Sequence, residues 1–219
     1  TGVGMMDCKK ALVEADGDVD KAMDILREKG LASQAKKASR VAAEGIVAAY
    51  NDANAGALVE INCETDFVAK GDAFREFCEE CAKVILKNGL TTVEEAKAAT
   101  ESLFADATVK MGEKFDLRRF EIVDGKVGSY IHNGGKIAVV VKLDNHDEEL
   151  AKHLAMHIAA MNPAYLDEAS VPAEDLEKEK HFILAQMKED PKNANKPENI
   201  LEKMLTGKIN KFFEQNCVT

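Results

Sequence analysis

Ala57-Leu58-Val59-Glu60-Ile61-Asn62-Cys63-Glu64-Thr65-Asp66-Phe67-Val68-Ala69-Lys70 changes its period partway along. Val59, Ile61 and Cys63 alternate with other residues, the two-residue period of a strand, over the run Ala57 to Cys63. Thr65 then offers a hydroxyl that accepts a bond from a free backbone N–H, which starts a helix. Gly71-Asp72 gives a second start signal, so Asp66 and Phe67 are expected on a short protruding turn. A ring beside a carboxylate on a protrusion is poor for solubility and good for insertion into a partner. Phe67 also lies seven residues before Phe74, and an unbroken helix would place it on the core stripe. Periodicity alone leaves both readings open.

Working outward, a strand that feeds helices predicts an α+β fold with antiparallel sheets packed by helices. Upstream, Ile46, Ala48 and Tyr50 alternate, and the turn Asn51 to Gly56 joins them to the quoted strand as a hairpin. Residues 32–43 carry little apolar mass and read as a linker that could be helical in part. Before them, Asp7 to Ala15 and an Asp18-capped helix with Val19, Ala22, Met23 and Leu26 form a helical pair, with Gly30 as its stop. Two such helices cannot bury both stripes, so a third is expected before Thr1.

Downstream, a helix over Asp72 to Leu86 carries Phe74, Phe77, Cys78, Cys81, Val84 and Ile85 on one stripe, and Asn88-Gly89 ends it. Another helix is expected over Val93 to Met111. A second sheet region is read from Phe115 to Leu143, with turns at Asp124-Gly125 and Asn133-Gly134-Gly135 and with Ile137, Val139, Val141 and Leu143 on one face. Asn145 is expected to cap a helix bearing Leu150, Leu154, His157, Ile158 and Met161, ended by Asn162-Pro163. The tail reads as an antiparallel helical pair, Pro172 to Lys188 and Pro197 to Phe213, joined by the breaker-rich Asp190 to Lys196. Hairpin-then-helix thus occurs twice, at 44–86 and 127–161, as in a duplicated α+β unit.

The 219 residues suffice for one large or two medium domains. A net charge of -10 argues against wrapping nucleic acid, where Lys and Arg must neutralise phosphates. Trp is absent and aromatics are few, which disfavours base-stacking platforms. No apolar run has bilayer-spanning length. Five scattered cysteines without a secretory signal fit a reducing, cytoplasmic setting better than a disulfide scaffold.

With the opening run Thr1-Gly2-Val3-Gly4-Met5-Met6-Asp7-Cys8-Lys9-Lys10-Ala11-Leu12, Thr65 to Lys70 closely resembles the elongation factor Ts family, and the likeness continues through Met156-His157-Ile158-Ala159-Ala160. The resemblance implies a guanine-nucleotide exchange factor that binds the translation GTPase elongation factor Tu, is not an enzyme, and needs no cofactor or metal of its own. It implies a ubiquitin-associated-type (UBA-like) helical module at 1–31 and a linker at 32–43. A two-subdomain core at 44–125 and 126–168 and a coiled-coil arm at 169–216 follow. It implies a further helix before Thr1 and more chain after Thr219. Phe67 then becomes a wedge near the partner's magnesium site, with Asp66 positioning the turn and disturbing the ion's surroundings, Val68 extending the apolar contact and Thr65 holding the turn. Met5, Met6 and Lys9 become contacts to the partner's nucleotide-binding domain, and the helix of His157 lies near the interface.

Plain alternatives exist for other groups. Met5 and Met6 could complete a helical core, but adjacent helical residues point about 100° apart, so at least one is expected to be exposed. Cys78-Glu79-Glu80-Cys81 has half the spacing of a zinc site, yet no second Cys/His pair lies at an appropriate distance, and flanking carboxylates disfavour a thiolate. Core cysteines are the preferred reading. His153 and His157 are four apart without the intervening Glu of a metalloprotease, and a packed His157 is expected. Gly2-Val3-Gly4 lacks the Gly-Lys-Ser/Thr of a phosphate loop. Two competing functions are a UBA-type module that grips peptides without exchange activity, and a thiol- or metal-dependent enzyme built on Cys78, Cys81, His153 and His157.

Overall fold

The alternation in the quoted stretch places Val59, Ile61 and Cys63 on one side of a strand, and all three are fully buried. The computed structural model describes residues 3–193 and 196–219. Thr1 and Gly2 of the opening motif, and Ala194 and Asn195 of the breaker stretch, lie outside the described residues. The fold is α+β and divides into two units, Thr1–Ala159 and Ala160–Thr219.

In the first unit, β1 (Glu44–Asn51), β2 (Ala55–Cys63) and β3 (Asp116–Asp124) form an antiparallel sheet with β2 central. Ile46 faces Ile61 and Ala48 faces Val59 across β1–β2; Ile61 faces Leu117 across β2–β3. This inner face is covered by α4 (Asp72–Asn88) and α5 (Val93–Met111). Phe74, Phe77, Phe104 and Phe115 interlock there, with Phe77 edge-on to Phe104 at 4.9 Å between ring centroids. The stripe predicted for α4 is therefore the core stripe, joined by Ala82 and Leu86, with Val84 half-buried. Thr92 and Glu95 close a capping box at the start of α5, satisfying N–H groups that its first turn would otherwise leave orphaned.

Two expectations for this region change. The second sheet does not begin at Phe115: β3 pairs with β2, because Leu117 belongs to the same buried face as Ile61. The second sheet is the hairpin of β4 (Val127–His132) and β5 (Ile137–Lys142). It is pinned to β1 by Val47 N–H on Gly135 O at 2.7 Å and Asn51 Nδ2 on Ser129 Oγ at 2.7 Å. Of the face Ile137, Val139, Val141 and Leu143, Val141 is buried, Val139 and Leu143 are half-buried and Ile137 is exposed, since two strands offer only a narrow face.

The N-terminal helices are α1 (Met5–Glu14) and α2 (Val19–Lys37), the latter capped by Asp18 Oδ1 on Lys21 N–H. They share a small core of Ala11, Ala15, Ala22 and Leu26, which leaves Leu12, Val19 and Met23 exposed. Gly30 does not stop α2. It is buried mid-helix, and a Cβ there would lie 2.9 Å from Ala105 O, so this glycine lets α2 rest on the backbone of α5. Residues 32–37 are the last turns of α2, the helical part that the linker reading allowed for, and residues 38–43 join α2 to β1 without regular helix or strand.

The helix α6 (Glu148–Met161) is capped by Asp147, whose Oδ1 accepts from Leu150 N–H, in place of the expected Asn145. Its buried stripe is Ala151, Ala155 and Ala159. At Gly128 an added Cβ would lie 2.6 Å from Ala151 Cβ, so strand and helix meet too closely for larger side chains. Leu150 is exposed as a result, with Leu154 and Ile158 half-buried.

In the second unit, α7 (Ala173–Glu189) and α8 (Glu198–Asn216) pair as a helical hairpin around Ile183, Met187 and Ile209. Leu176, Leu201, Met204, Leu205 and Phe213 pack against that centre. Its base is tied by Ala164 and Tyr165 N–H groups donating to Asn216 O.

Candidate functional site

The quoted strand ends at Cys63, and α3 (Asp66–Ala69) follows as a single turn. Four residues cannot hold a helix by their own hydrogen bonds, because nucleating a turn costs more than so few bonds return. The sequence supplies braces at both ends. Thr65 caps α3 as predicted, its Oγ1 accepting from Val68 N–H at 3.4 Å. Ala69 is buried in the main core, and Val68 is half-buried against it. Val68 therefore helps to anchor the turn while keeping part of its surface exposed.

Phe67 is 86% exposed. The break at Gly71, which precedes α4, takes it off the stripe that buries Phe74. Asp66 turns back along α3 to Lys70 Nζ at 2.6 Å. That hydrogen bond, and then the charge of Lys70, hold the Asp66 carboxyl below its ordinary range and raise Lys70. Beside the turn lies a hollow of about 270 Å³ bordered by Ile46, Asp66, Lys70, Arg75, Asn133 and Lys136. Its cations are engaged: Lys70 with Asp66, Arg75 with Asp72 at 2.9 Å, and Lys136 with Glu44 at 3.2 Å.

Glu113 was not among the residues singled out from sequence. One oxygen, Oε2, accepts from Glu64 N–H at 2.9 Å and Thr65 N–H at 3.1 Å. The other, Oε1, accepts from Thr65 Oγ1 at 2.5 Å. The strap is reciprocal, since Glu64 Oε1 accepts from Lys114 N–H at 2.7 Å and is reached by Arg40 at 3.3 Å. These contacts, the Lys114 amide first, push the Glu64 carboxyl below its ordinary range. Lys114 Nζ in turn donates to Ala38 O and Arg40 O beyond the end of α2. Beneath, the Cys63 thiol reaches Thr65 O at 3.3 Å; burial pushes its pKa up to about 12, so it stays a neutral donor.

The other predicted residues stand on separate elements of the same unit. Met5 is 85% and Met6 60% exposed on α1, so neither completes the small helical core. Met5 and Lys9 border an open apolar hollow of about 530 Å³ with Leu12 and Val13. His157 is exposed on α6, against the packed reading, because alanines take the buried side. His153 is exposed too, and among the described residues no three His, Cys, Asp or Glu side chains come together to hold a metal ion. Cys78 and Cys81 are free, fully buried thiols, and burial pushes both pKa values far up. The core reading holds for them.

Among the described residues no helix is long and apolar enough to cross a membrane. A family model described as elongation factor TS matches residues 64–219, more than half of the chain.

Proposed function

The chain belongs to the elongation factor Ts family of translation elongation factors, and on that premise we propose that it is a guanine-nucleotide exchange factor. It binds elongation factor Tu in its GDP form and promotes GDP release, in the cytoplasm. The observation that carries this reading is the Phe67 ring, 86% exposed on a one-turn helix strapped at both ends. An isolated soluble chain gains nothing from such a ring, whereas a protein that pries apart a partner does.

Exchange needs no bond-making chemistry. A protein that binds the empty GTPase more tightly than the GDP-bound one lowers the affinity for GDP by the same factor, because coupling is reciprocal. In translation GTPases a magnesium ion bridges protein and nucleotide phosphates, so moving the helices that support it weakens nucleotide binding. In this proposal Phe67 inserts between two helices near the partner's ion. Asp66, charged and held by Lys70, helps to orient the turn and perturbs the ion's hydrogen-bonded surroundings. Thr65 holds the turn, and Val68 ties it to the core.

Burying one Phe contributes about 1.5–3 kcal/mol, roughly a 10- to 150-fold effect. A large loss of nucleotide affinity needs further anchoring. Met5, Met6 and Lys9 on α1 and His157 on α6 supply it in this reading, through surfaces separate from the wedge. Mixing the chain with elongation factor Tu carrying a fluorescent GDP tests the proposal. Release should accelerate and saturate with chain concentration; release that stays at the GTPase's intrinsic rate at every concentration would sink it.

A further inference from the structure

We infer that Glu113 is the positioning residue of the Asp66–Phe67 turn, holding it in the projecting form that the exchange reading requires; the inference rests on that reading. Glu113 lies far from the turn in sequence, just past the Gly112 that ends α5 in a left-handed conformation (φ 76°). Its carboxylate collects three donors from the entry to α3: the N–H groups of Glu64 and Thr65, and the Thr65 hydroxyl.

The third of these decides the cap. A hydroxyl has one hydrogen and two lone pairs. With its hydrogen committed to Glu113 Oε1, Thr65 Oγ1 is left as an acceptor facing Val68 N–H. Glu113 therefore sets the rotor that closes α3. The two amides it receives lie ahead of the helix, where the turn itself offers them no partner. Charged acceptors form the stronger hydrogen bonds, so one carboxylate here does what a four-residue helix cannot do for itself. Glu64 returns the strap to Lys114 N–H, so residues 64–65 and 113–114 clasp each other from both sides. Glu113 is half-buried and lies outside the apolar core cluster.

The test uses the full chain with elongation factor Tu and fluorescent GDP. Glu113→Ala should lower the maximal release rate about 10-fold, the scale of lost charge-assisted hydrogen bonds, with the half-saturating concentration little changed. Glu113→Gln keeps one acceptor oxygen and should fall between, which covers the case in which the alanine variant folds poorly. In a Phe67→Ala background, Glu113→Ala should cause no further slowing, because Glu113 acts through that ring. Amide hydrogen exchange at Glu64 and Thr65 should quicken in Glu113→Ala before any partner is added. Wild-type release by both Glu113 variants while Phe67→Ala is slow would overturn the inference, as would full additivity in the double variant. If Phe67→Ala releases GDP as fast as wild type while the Thr65 amide still loses protection in Glu113→Ala, the brace stands and the wedge reading falls.

Discussion

Two parts of the first unit present large apolar side chains to water at almost the same exposure: Phe67 on α3 at 86% and Met5 on α1 at 85%. What lies behind them differs. Behind Phe67 are the aromatic core, the buried Ala69 and the Glu64–Glu113 clasp. Behind Met5 is a two-helix core of three alanines and one leucine, and α1 starts at Gly4 without a side-chain cap. Exposure alone does not tell the two apart; restraint does. In the proposed exchange role a braced ring would transmit force into a partner's packing, whereas long, unbranched Met side chains on a lightly supported helix would adapt to a surface.

The comparison breaks most readily at the support beneath the turn. Phe74→Ala removes a fully buried ring that stacks on Phe115 at 5.5 Å, and should destabilise the chain by about 3–5 kcal/mol in denaturant unfolding. A loss under 1 kcal/mol would mean that the turn has no rigid base. The same base should weaken in alkali. Cys63, Cys78 and Cys81 have folded pKa values raised above the ordinary 9.0 by burial. Their contribution is thus complete below pH 9 and is lost as pH rises above 9, toward 12 for Cys63 and further up for the other two, because the unfolded thiols release protons that the folded ones keep. At pH 10 each costs about 1.4 kcal/mol, about 4 kcal/mol for the three. Unfolding at pH 8 and pH 10 measures this, and Cys78→Ala should remove about a third of the thiol-linked difference; an equal decline in that variant would assign it to other groups.

How far this contrast could be read from sequence follows from the range of each interaction. The strand at Ala57 to Cys63, the Thr65 cap and the α4 stripe are local patterns of period or neighbour, and all three stand in the structure. Gly71 interrupts the register toward Phe74 and so left an exposed Phe67 open, but choosing exposure over the core rested on the family resemblance. Glu113 was invisible, since nothing near it in the chain signals that it reaches Thr65, 48 positions away. The misreadings share that cause. Gly30 looked like a helix stop, but its glycine serves the approach of α5. His157 looked buried because Leu150 and Ile158 suggested the stripe, whereas close contact at Gly128 gives the buried side to alanines. Period reports which residues can share a face; it does not report how near the neighbouring element will come.

At the turn itself, Phe67→Ala should slow maximal GDP release from elongation factor Tu by roughly 10- to 150-fold, the range for burying one Phe. Unfolding stability should stay within about 0.5 kcal/mol of wild type, because the ring is almost wholly in water before binding. That pairing of outcomes sharpens the contrast with Phe74. If Phe67→Ala proves as destabilising as Phe74→Ala, the ring belongs to the core in solution and cannot be the wedge.

The smallest effects should come from α1. Met5→Ala and Met6→Ala should each raise the chain concentration for half-maximal release by about 2- to 5-fold, since most interface truncations cost less than or near 1 kcal/mol. The maximal rate should not move, because a contact made equally before and during release changes binding and not the barrier. The double variant should show the product of the two, unless the side chains share one partner pocket; Met5 borders the hollow with Lys9 and Leu12 and Met6 does not, which favours independence. The informative failure is a lowered maximal rate at unchanged half-saturation. That result would put α1 into the prying step alongside Phe67, and a well-braced turn would then no longer be what separates a wedge from an anchor in this chain.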